Sequence, residues 1–355
     1  MDAMTHARDA AQHLQDEVRQ AIAQHRPLRI RGGDSKRHLG RAVEGVELDT
    51  RPHRGIVTYD PTELVITARA GTPLAELEAG LAAENQMLPC EPPHYGPGAT
   101  VGGMVATGFS GPRRPWAGAV RDFVLGTRLI TGEGKHLRFG GEVMKNVAGY
   151  DLSRLLAGSF GCLGVITEVS LKVLPVPRRR ACRRLDISRH RAREQLAEWG
   201  GQALPLSAAC HDGQALYVRL EGGEGSVASA CERIGGEPVP AMFWADLREQ
   251  RLAFFDDPRP LWRLSLPNHT LLADLPGEVM LDWAGAQCWL KSEADAATLR
   301  QLAQNVGGHA TCFTPSAERE PFHPLPAALL RYQRQLKQRM DPHGLFNPGR
   351  LYAEL

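Results

Sequence analysis

The stretch GPGATVGGMVATGFSGPRR, Gly96 to Arg114, determines how the rest of the chain is interpreted. It contains six glycines and no carboxylate, and it ends on two adjacent arginines. Because glycine has no Cβ, such a run lets main-chain N–H groups approach a ligand closely and reach a positive φ. Phosphate is the ligand that clustered N–H groups favour. A plain surface loop rich in glycine and proline is the alternative, and the stretch alone does not decide between the two.

A second glycine-rich stretch precedes it. LRIRGGDSKRHLG, Leu28 to Gly40, begins as a short alternating strand and turns at Gly32-Gly33. Two such stretches favour a ligand that carries a diphosphate. A nicotinamide site of the Rossmann type is disfavoured, because the glycines after Gly96 miss the G-x-G-x-x-G spacing and follow a proline-rich run instead of a strand.

The composition is that of an ordinary globular protein. The 355 residues carry a formal net charge of +2 with acids and bases interspersed, which gives no general electrostatic basis for binding nucleic acid or an anionic membrane. Arg178 to Arg193 carries eight arginines against one aspartate, and it is either a docking face for an acidic partner or the solvated side of a strand and a helix.

The seven cysteines lack disulfide, zinc or iron–sulfur spacing, which favours the reduced cytoplasm. No apolar run is long enough for a transmembrane segment.

Apolar periodicity predicts the elements on either side of the glycine stretches. An amphipathic helix is expected over Ala7 to Gln24 and another over Pro326 to Met340. A strand is expected at Leu64 to Ala68, with a helix from Pro73. Val124 to Phe139 reads as a hairpin that turns at Gly132 to Gly134.

The region from Arg180 to Phe313 differs in character, because short strands alternate with helices there. A weak internal repeat places Asp212–Gly236 over Ala284–Gly308, with Arg219 over Lys291. Each copy reads as strand, turn, strand, helix, and a further strand precedes each pair. We therefore expect two βαββα units that pack together, because neither can bury its sheet face alone. Chance similarity of the two glycine-ended helices is the alternative.

A third motif completes a recognisable pattern. In EVMKNVAGYDLSRLLAGSFGCLGVITEVSLKVLP, Glu142 to Pro175, a helix leads through G-S-x-G-x-L-G to a strand rich in valine and isoleucine. Together with RGGDS and PGATVGGMVATG, this motif resembles the FAD-binding domain of the vanillyl-alcohol oxidase or PCMH-type flavoprotein family. The C-terminal DPHGLFNPGR resembles that family's ending. The phrases SGPRRPWAGAVRDFVLGTRLITGEG and GGEVMKNVAGYDLSRLLAGSFG are similar to the glycolate oxidase branch of the family.

The resemblance implies an α+β fold with three parts. Residues 1–177 would form a two-part PCMH-type FAD-binding domain, and residues 178–313 a small α/β cap made of the two βαββα-like units. Residues 314–355 would return to the FAD-binding domain. The resemblance covers Leu28 to Pro175 and the C-terminal tail, and it hardly touches the middle region.

The resemblance also implies which residues hold FAD. In the family, backbone amides of the two glycine stretches hold the pyrophosphate, which assigns Arg31, Gly32, Gly33, Asp34, Ser35, Pro97, Gly98, Ala99, Thr100, Gly102 and Gly103. The residues expected along the isoalloxazine are Met104, Thr107 and Ser110. Those expected at the adenine and ribose are Gly158, Gly161, Gly164, Val165 and Ile166. A tight helix-to-strand junction that needs small residues is an alternative reading of this last set.

Two departures from the family pattern bear on how FAD is held. Many relatives carry a histidine after the first Gly-Gly that links the flavin covalently, and this chain has Asp34 there, so non-covalent FAD is expected. Cys162 occupies a place where relatives often have threonine. A small buried thiol is expected at Cys162 in preference to a flavin linkage or a redox thiol.

Oxidation of a 2-hydroxy acid by a flavin needs a base for the hydroxyl proton and a cation for the carboxylate. The candidates are Arg113 and Arg114, followed by Lys145 and Tyr150, and structural or interface salt bridging is the alternative role. The histidines of the middle region form no close cluster, so no metal site is expected.

The resemblance implies a flavin subunit of a bacterial-type glycolate oxidase complex, which oxidises glycolate to glyoxylate or relays electrons. A second flavin subunit and an iron–sulfur subunit are the implied partners. The location would be cytoplasmic, or peripheral on the inner membrane through those partners. A self-sufficient FAD-dependent 2-hydroxy-acid dehydrogenase and a structural subunit with a vestigial flavin site are the alternatives.

Overall fold

The computed structural model describes residues 8–141, 151–267, 270, 275–316 and 320–355. The α-helices in this part of the chain are α1 (Ala11–Gln24), α2 (Leu74–Ala83), α3 (Val101–Thr107), α4 (Arg114–Ala117), α5 (Val120–Phe123), α6 (Leu152–Leu155), α7 (Arg189–Gly200), α8 (Glu224–Ile234), α9 (Met242–Arg248), α10 (Ala296–Asn305) and α11 (Ala327–Met340). None of these described helices is long and apolar enough to cross a membrane.

The described residues form seventeen strands. They are β1 (Leu28–Arg31), β2 (Val46–Asp49), β3 (Ile56–Asp60), β4 (Val65–Arg69), β5 (Gln86–Met87), β6 (Val124–Ile130), β7 (His136–Gly140), β8 (Val165–Lys172), β9 (Leu174–Pro175), β10 (Arg179–Leu185), β11 (Leu206–His211), β12 (Leu216–Gly222), β13 (Glu237–Pro238), β14 (Leu261–Ser265), β15 (Glu278–Asp282), β16 (Gln287–Lys291) and β17 (His309–Cys312).

The chain divides into two compact units. The first unit comprises Met1–Ser110, Gly118–Pro175 and Pro324–Leu355, and the second comprises Gly111–Ala117 and Val176–His323. The segment 111–117 therefore groups with the second unit, although the sequence analysis assigned it to the FAD-binding domain.

The first unit contains an antiparallel five-stranded sheet in the order β3-β4-β8-β6-β7 and a small parallel pair, β1-β2. The helix α1 buries Leu14, Val18 and Ala21, as its apolar stripe predicted. These side chains share one core with Leu48 of β2 and Phe346 of the C-terminal tail. The predicted strand before Pro73, the helix after it and the hairpin β6-β7 are confirmed.

The second unit contains one eight-stranded sheet in the order β13-β10-β12-β11-β15-β16-β14-β17. The sheet has two halves, and β13, β10, β12 and β11 of one half correspond to β17, β14, β16 and β15 of the other. The halves meet where β11 pairs with β15, at His211 and Leu281. Arg219 and Lys291 lie on the equivalent strands β12 and β16, and both are buried. The predicted repeat is therefore confirmed. The first helix expected in the second copy falls largely on residues outside the described ones.

Candidate functional site

The two glycine stretches of the first unit lie against each other. A Cβ built on Gly33 would be 1.3 Å from the carbonyl oxygen of Gly98, and one built on Gly32 would be 2.5 Å from Oγ1 of Thr100. A Cβ on Gly96 would be 3.9 Å from Cβ of Ser35. The backbones approach so closely that Gly33 can carry no side chain.

Several N–H groups in these loops have no acceptor within the described part of the chain, among them those of Gly32, Gly33, Asp34, Ser35 and Gly98. The first four residues are half-buried, and Asp34 adopts a left-handed φ of +57°. Half-buried main-chain donors need partners, and such donors in a glycine-rich concavity suit the oxygens of a diphosphate. The residues present therefore fit the pyrophosphate of FAD.

The charged side chains of the first loop are engaged with one another. The Arg31 guanidinium lies 2.6 Å from a carboxylate oxygen of Glu47 and 3.7 Å from Asp34. The Asp34 carboxylate is also 4.0 Å from Arg37. These pairs partly neutralise Asp34, which would otherwise repel a phosphate.

The second glycine stretch contains the helix α3, which the sequence analysis did not predict. Thr100 caps it, because the Gly103 N–H donates to its Oγ1 at 3.3 Å. Gly102 faces the sheet, where its N–H donates to the Ala70 carbonyl at 2.8 Å and an added Cβ would lie 2.7 Å from Cβ of Ala70. Gly103 differs, since among the described residues outside its own helix a Cβ there would meet only Oγ1 of Thr100, at 3.1 Å.

The remaining residues of the second stretch use their polar atoms inside the protein. Ala99 is buried, and its carbonyl accepts from the Leu74 N–H at 2.8 Å. Met104 is buried, and the Thr107 hydroxyl donates to the Gly103 carbonyl at 2.8 Å. The Ser110 hydroxyl accepts from the N–H of Val120 at 3.0 Å. Contact of Met104, Thr107 and Ser110 with an isoalloxazine stays a prediction. Contact of Pro97 with the pyrophosphate also stays a prediction.

The third motif packs on α3. The N–H groups of Gly158 and Phe160 donate to the carbonyls of Val105 and Ala106, at 3.0 and 2.8 Å. Gly158 has a φ of +85°, and no atom of the described residues lies within 4 Å of where its Cβ would stand.

Other residues of the third motif serve the fold. A Cβ on Gly161 would lie 2.7 Å from Nδ2 of Asn347, and one on Gly164 would lie 2.8 Å from Cδ1 of Leu129. Val165 and Ile166 are buried in β8. Packing within the protein therefore accounts for the small or apolar residues at these positions. Their contact with adenine or ribose stays a prediction.

The C-terminal tail joins these elements. Residues 345–347 run alongside β1, with the Leu28 N–H donating to the Leu345 carbonyl at 2.7 Å and the Asn347 N–H donating to the Leu28 carbonyl at 3.0 Å. The buried Lys337 ammonium lies 2.7 Å from Asp341 and donates to the Cys162 carbonyl at 2.8 Å. The family-like ending is visible in the sequence, but this role of Lys337 and Asp341 is not. A charged pair at i, i+4 is usually a surface feature.

Cys162 is a buried thiol, as expected. Burial raises its pKa to about 11, an effect that the nearby Lys337 only partly offsets. The thiol is therefore protonated at neutral pH, and a protonated thiol is a poor nucleophile and a poor redox group.

The two candidate arginines lie in the second unit. The Arg113 guanidinium is 2.5 Å from the Glu221 carboxylate, and both side chains are buried. Arg180 and Arg219 also contact Glu221, at 2.6 and 3.4 Å. Burial by itself would raise the pKa of Glu221, but the arginines hold it below its ordinary value. The structural salt bridge considered for Arg113 is thus present.

Arg114 is held differently from its neighbour, because its guanidinium lies over the Trp283 ring, 4.4 Å from the centroid. Trp283 in turn donates from its indole N–H to the Gly111 carbonyl at 3.0 Å. The other two candidates, Lys145 and Tyr150, lie outside the described residues. Within the described ranges, no group of three or more histidines, cysteines or carboxylates could hold a metal ion.

Comparison with known proteins agrees with this geometry. A family model described as an FAD binding domain matches residues 6–140, which include both glycine loops. The expected cofactor, FAD, is therefore confirmed for this domain.

The chain is 61% identical over 347 residues to the glycolate oxidase subunit GlcE of Escherichia coli strain K12, a match that covers 98% of this chain and 99% of that protein. This chain belongs to the GlcE family of glycolate oxidase subunits. A second relative, the glycolate oxidase subunit GlcD of Bacillus subtilis strain 168, is 33% identical over 122 residues, which are 34% of this chain and 26% of GlcD.

A solved structure of alkyldihydroxyacetonephosphate synthase has the same fold. The two superpose with a TM-score of 0.66 at 16% identity, over 96% of this chain and 75% of the synthase. The expected α+β fold with a PCMH-type FAD-binding domain is confirmed.

Proposed function

We propose that this chain is the FAD-binding subunit of a glycolate oxidase complex, in which its flavin takes part in the oxidation of glycolate to glyoxylate. The observation that carries the proposal is the match to GlcE across nearly the whole of both chains, over the second unit as well as the FAD-binding domain. A vestigial flavin site is disfavoured, because the N–H groups of Gly32 to Ser35 have no acceptor among the described residues and the two loops exclude side chains where they meet.

The bound FAD would accept the two electrons released when the alcohol of the 2-hydroxy acid becomes a ketone or aldehyde. In this chain the first loop and Gly98 would hold its pyrophosphate by N–H donation. Gly103 and Gly158 would leave room for it. The Cys162 thiol, protonated and buried, would take no part.

We further propose that two partners are needed, a second flavin subunit and an iron–sulfur subunit. Within the described residues, no group of three or more histidines, cysteines or carboxylates could hold a metal ion. An iron–sulfur subunit would accept the electrons that leave the flavin. GlcD of Bacillus subtilis shares about a third of this chain's length at 33% identity, and a subunit of that kind would carry a comparable FAD-binding domain. Association with the inner membrane would go through such partners.

Substrate oxidation is proposed to depend on the partners. Arg113, the first candidate for a carboxylate ligand, is already paired with Glu221, and this pairing leaves it poorly suited to bind a substrate. We therefore expect the isolated chain, loaded with FAD, to reduce its flavin poorly when given glycolate.

Anaerobic mixing with excess glycolate, followed at the flavin absorption band, tests this expectation. The isolated chain should bleach slowly or not at all, and bleaching should appear once the partner subunits are added. Bleaching of the isolated chain at the turnover rate of the complex would favour the self-sufficient dehydrogenase. A complex whose turnover is unaffected when this chain is prepared without FAD would favour the vestigial site.

A further inference from the structure

The Asn347 side chain connects two parts of the proposed cofactor site. Its Oδ1 accepts from the Ile30 N–H at 2.8 Å, two residues before the first glycine loop. Its Nδ2 donates to the Phe160 carbonyl at 2.7 Å, within the third motif. The same side chain fills the space beside Gly161, where an added Cβ would lie 2.7 Å from Nδ2.

The backbone at Asn347 explains why a side chain makes these bonds. The tail pairs with β1 through the Leu345 carbonyl and the Asn347 N–H, but Asn347 then turns to a left-handed φ of +41°. The ladder would continue with the N–H of Gly349, but that group donates to the Leu355 carbonyl instead. The amide oxygen of Asn347 therefore accepts from Ile30 where a tail carbonyl would otherwise be expected.

The tail is itself anchored on its other side. Asp341 is almost fully buried, accepts from the N–H groups of Leu345 and Phe346 at 3.1 and 2.8 Å, and pairs with Lys337. Lys337 donates to the carbonyls of Cys162 and Phe346, at 2.8 and 2.7 Å. Asn347 thus directly follows residues that are held by these buried hydrogen bonds.

We infer that Asn347 is a positioning residue that fixes the first glycine loop relative to the third motif and thereby sets the affinity for FAD. The inference rests on the proposed FAD site. Binding needs the loop donors and the third motif at fixed positions, and a link that is already formed reduces the ordering that binding must otherwise impose.

The test compares Asn347→Gly with Asn85→Gly. Glycine keeps the left-handed backbone accessible at both positions and removes the whole side chain, including the amide. Asn85 is the matched control, because it also has a left-handed φ, +54°, but lies exposed in the same unit. The dissociation constant for FAD is measured on the folded, full-length apoprotein by quenching of flavin fluorescence.

We expect Asn347→Gly to weaken FAD binding by roughly tenfold or more, because the half-buried N–H of Ile30 loses its acceptor and the hydrogen bond to the Phe160 carbonyl is lost. Asn85→Gly should leave the constant unchanged. If Asn347 has only a structural role, its variant will unfold at a lower temperature but bind FAD with the wild-type constant, and that result would overturn the inference.

Hydrogen exchange on the wild-type chain provides a test that needs no variant. FAD should slow exchange at the amides of Ile30 and Asn347 more than at the amide of Leu264 in the second unit. Equal effects at these amides would overturn the inference. A wild-type chain that binds no FAD would overturn the proposed function itself. If the wild-type chain binds FAD and Asn347→Gly binds it with the same dissociation constant, only the positioning role is overturned.

Discussion

At the scale of single residues, adjacent glycines of α3 have opposite surroundings. A Cβ on Gly102 would press on Cβ and the carbonyl of Ala70, at 2.7 and 3.1 Å. A Cβ on Gly103 would meet only Oγ1 of Thr100 among the described residues outside its helix. We therefore expect Gly102→Ala to destabilise the fold by about 1–3 kcal/mol through overpacking. Gly103→Val should stay folded and lose FAD, because its branched side chain would enter the space proposed for the cofactor.

Thermal unfolding and the FAD content of the purified chain separate the two effects. Unchanged FAD content in folded Gly103→Val would exclude this face of α3 from the site. An unaltered melting temperature in Gly102→Ala would contradict the packing argument.

A second residue-scale prediction concerns His53, whose side chain is fully buried. Its Nδ1 accepts from the Ala10 N–H at 3.0 Å, and burial lowers its pKa from 6.5 to about 4, against the opposing effect of Asp9. Between these pH values the unfolded chain binds a proton that the folded chain does not. The free energy of unfolding should therefore fall as the pH drops from about 6.5 to 4.

Urea unfolding at pH 7 and pH 5 measures this contribution. In His53→Asn the side-chain carbonyl can still accept from Ala10 but does not titrate, so the variant should lose less stability between the two pH values than the wild type. An equal loss in both proteins would contradict the assignment to His53.

At the scale of elements, the segment 111–117 is held to the second unit by Glu221. Glutamine at this position would leave the buried guanidinium groups of Arg113 and Arg219 without their carboxylate. Breaking a buried ion pair from one side costs about 3–5 kcal/mol. We expect Glu221→Gln to lower the stability of the chain and to speed tryptic cleavage after Arg113.

Glu224→Gln is the control, because Glu224 is exposed at the start of α8. It should be cleaved at the wild-type rate. Wild-type resistance to trypsin in Glu221→Gln would show that other contacts hold the segment.

The elements also show what sequence analysis could and could not predict. The amphipathic helices, the hairpin β6-β7 and the repeat of the second unit followed from local patterns of apolar residues and turns. The helix α3 did not, because Gly102 and Gly103 weaken its intrinsic propensity. The helix is stabilised instead by the Thr100 cap and by the hydrogen bond from Gly102 to Ala70, a contact between residues far apart in the sequence.

The site shows the same division. The glycine loops could be predicted from their glycine content, because the close approach of Gly33 to Gly98 requires glycine and so marks the sequence. The partner of Arg113 was not predicted, because Glu221 lies more than a hundred residues away and no local pattern relates the two. The role of Asn347 was missed for the same reason.

At the scale of the whole molecule, we predict that the first unit binds FAD without a covalent link. The residue after Gly32-Gly33 is Asp34 and not a histidine that could link the flavin, and Cys162 is a buried, protonated thiol. Purification of the full-length chain, followed by its absorption spectrum and acid precipitation, is the most direct test. We predict one FAD per chain, released into the supernatant on precipitation. A colourless chain that takes up no added FAD, or a yellow precipitate that retains its flavin, would contradict the account.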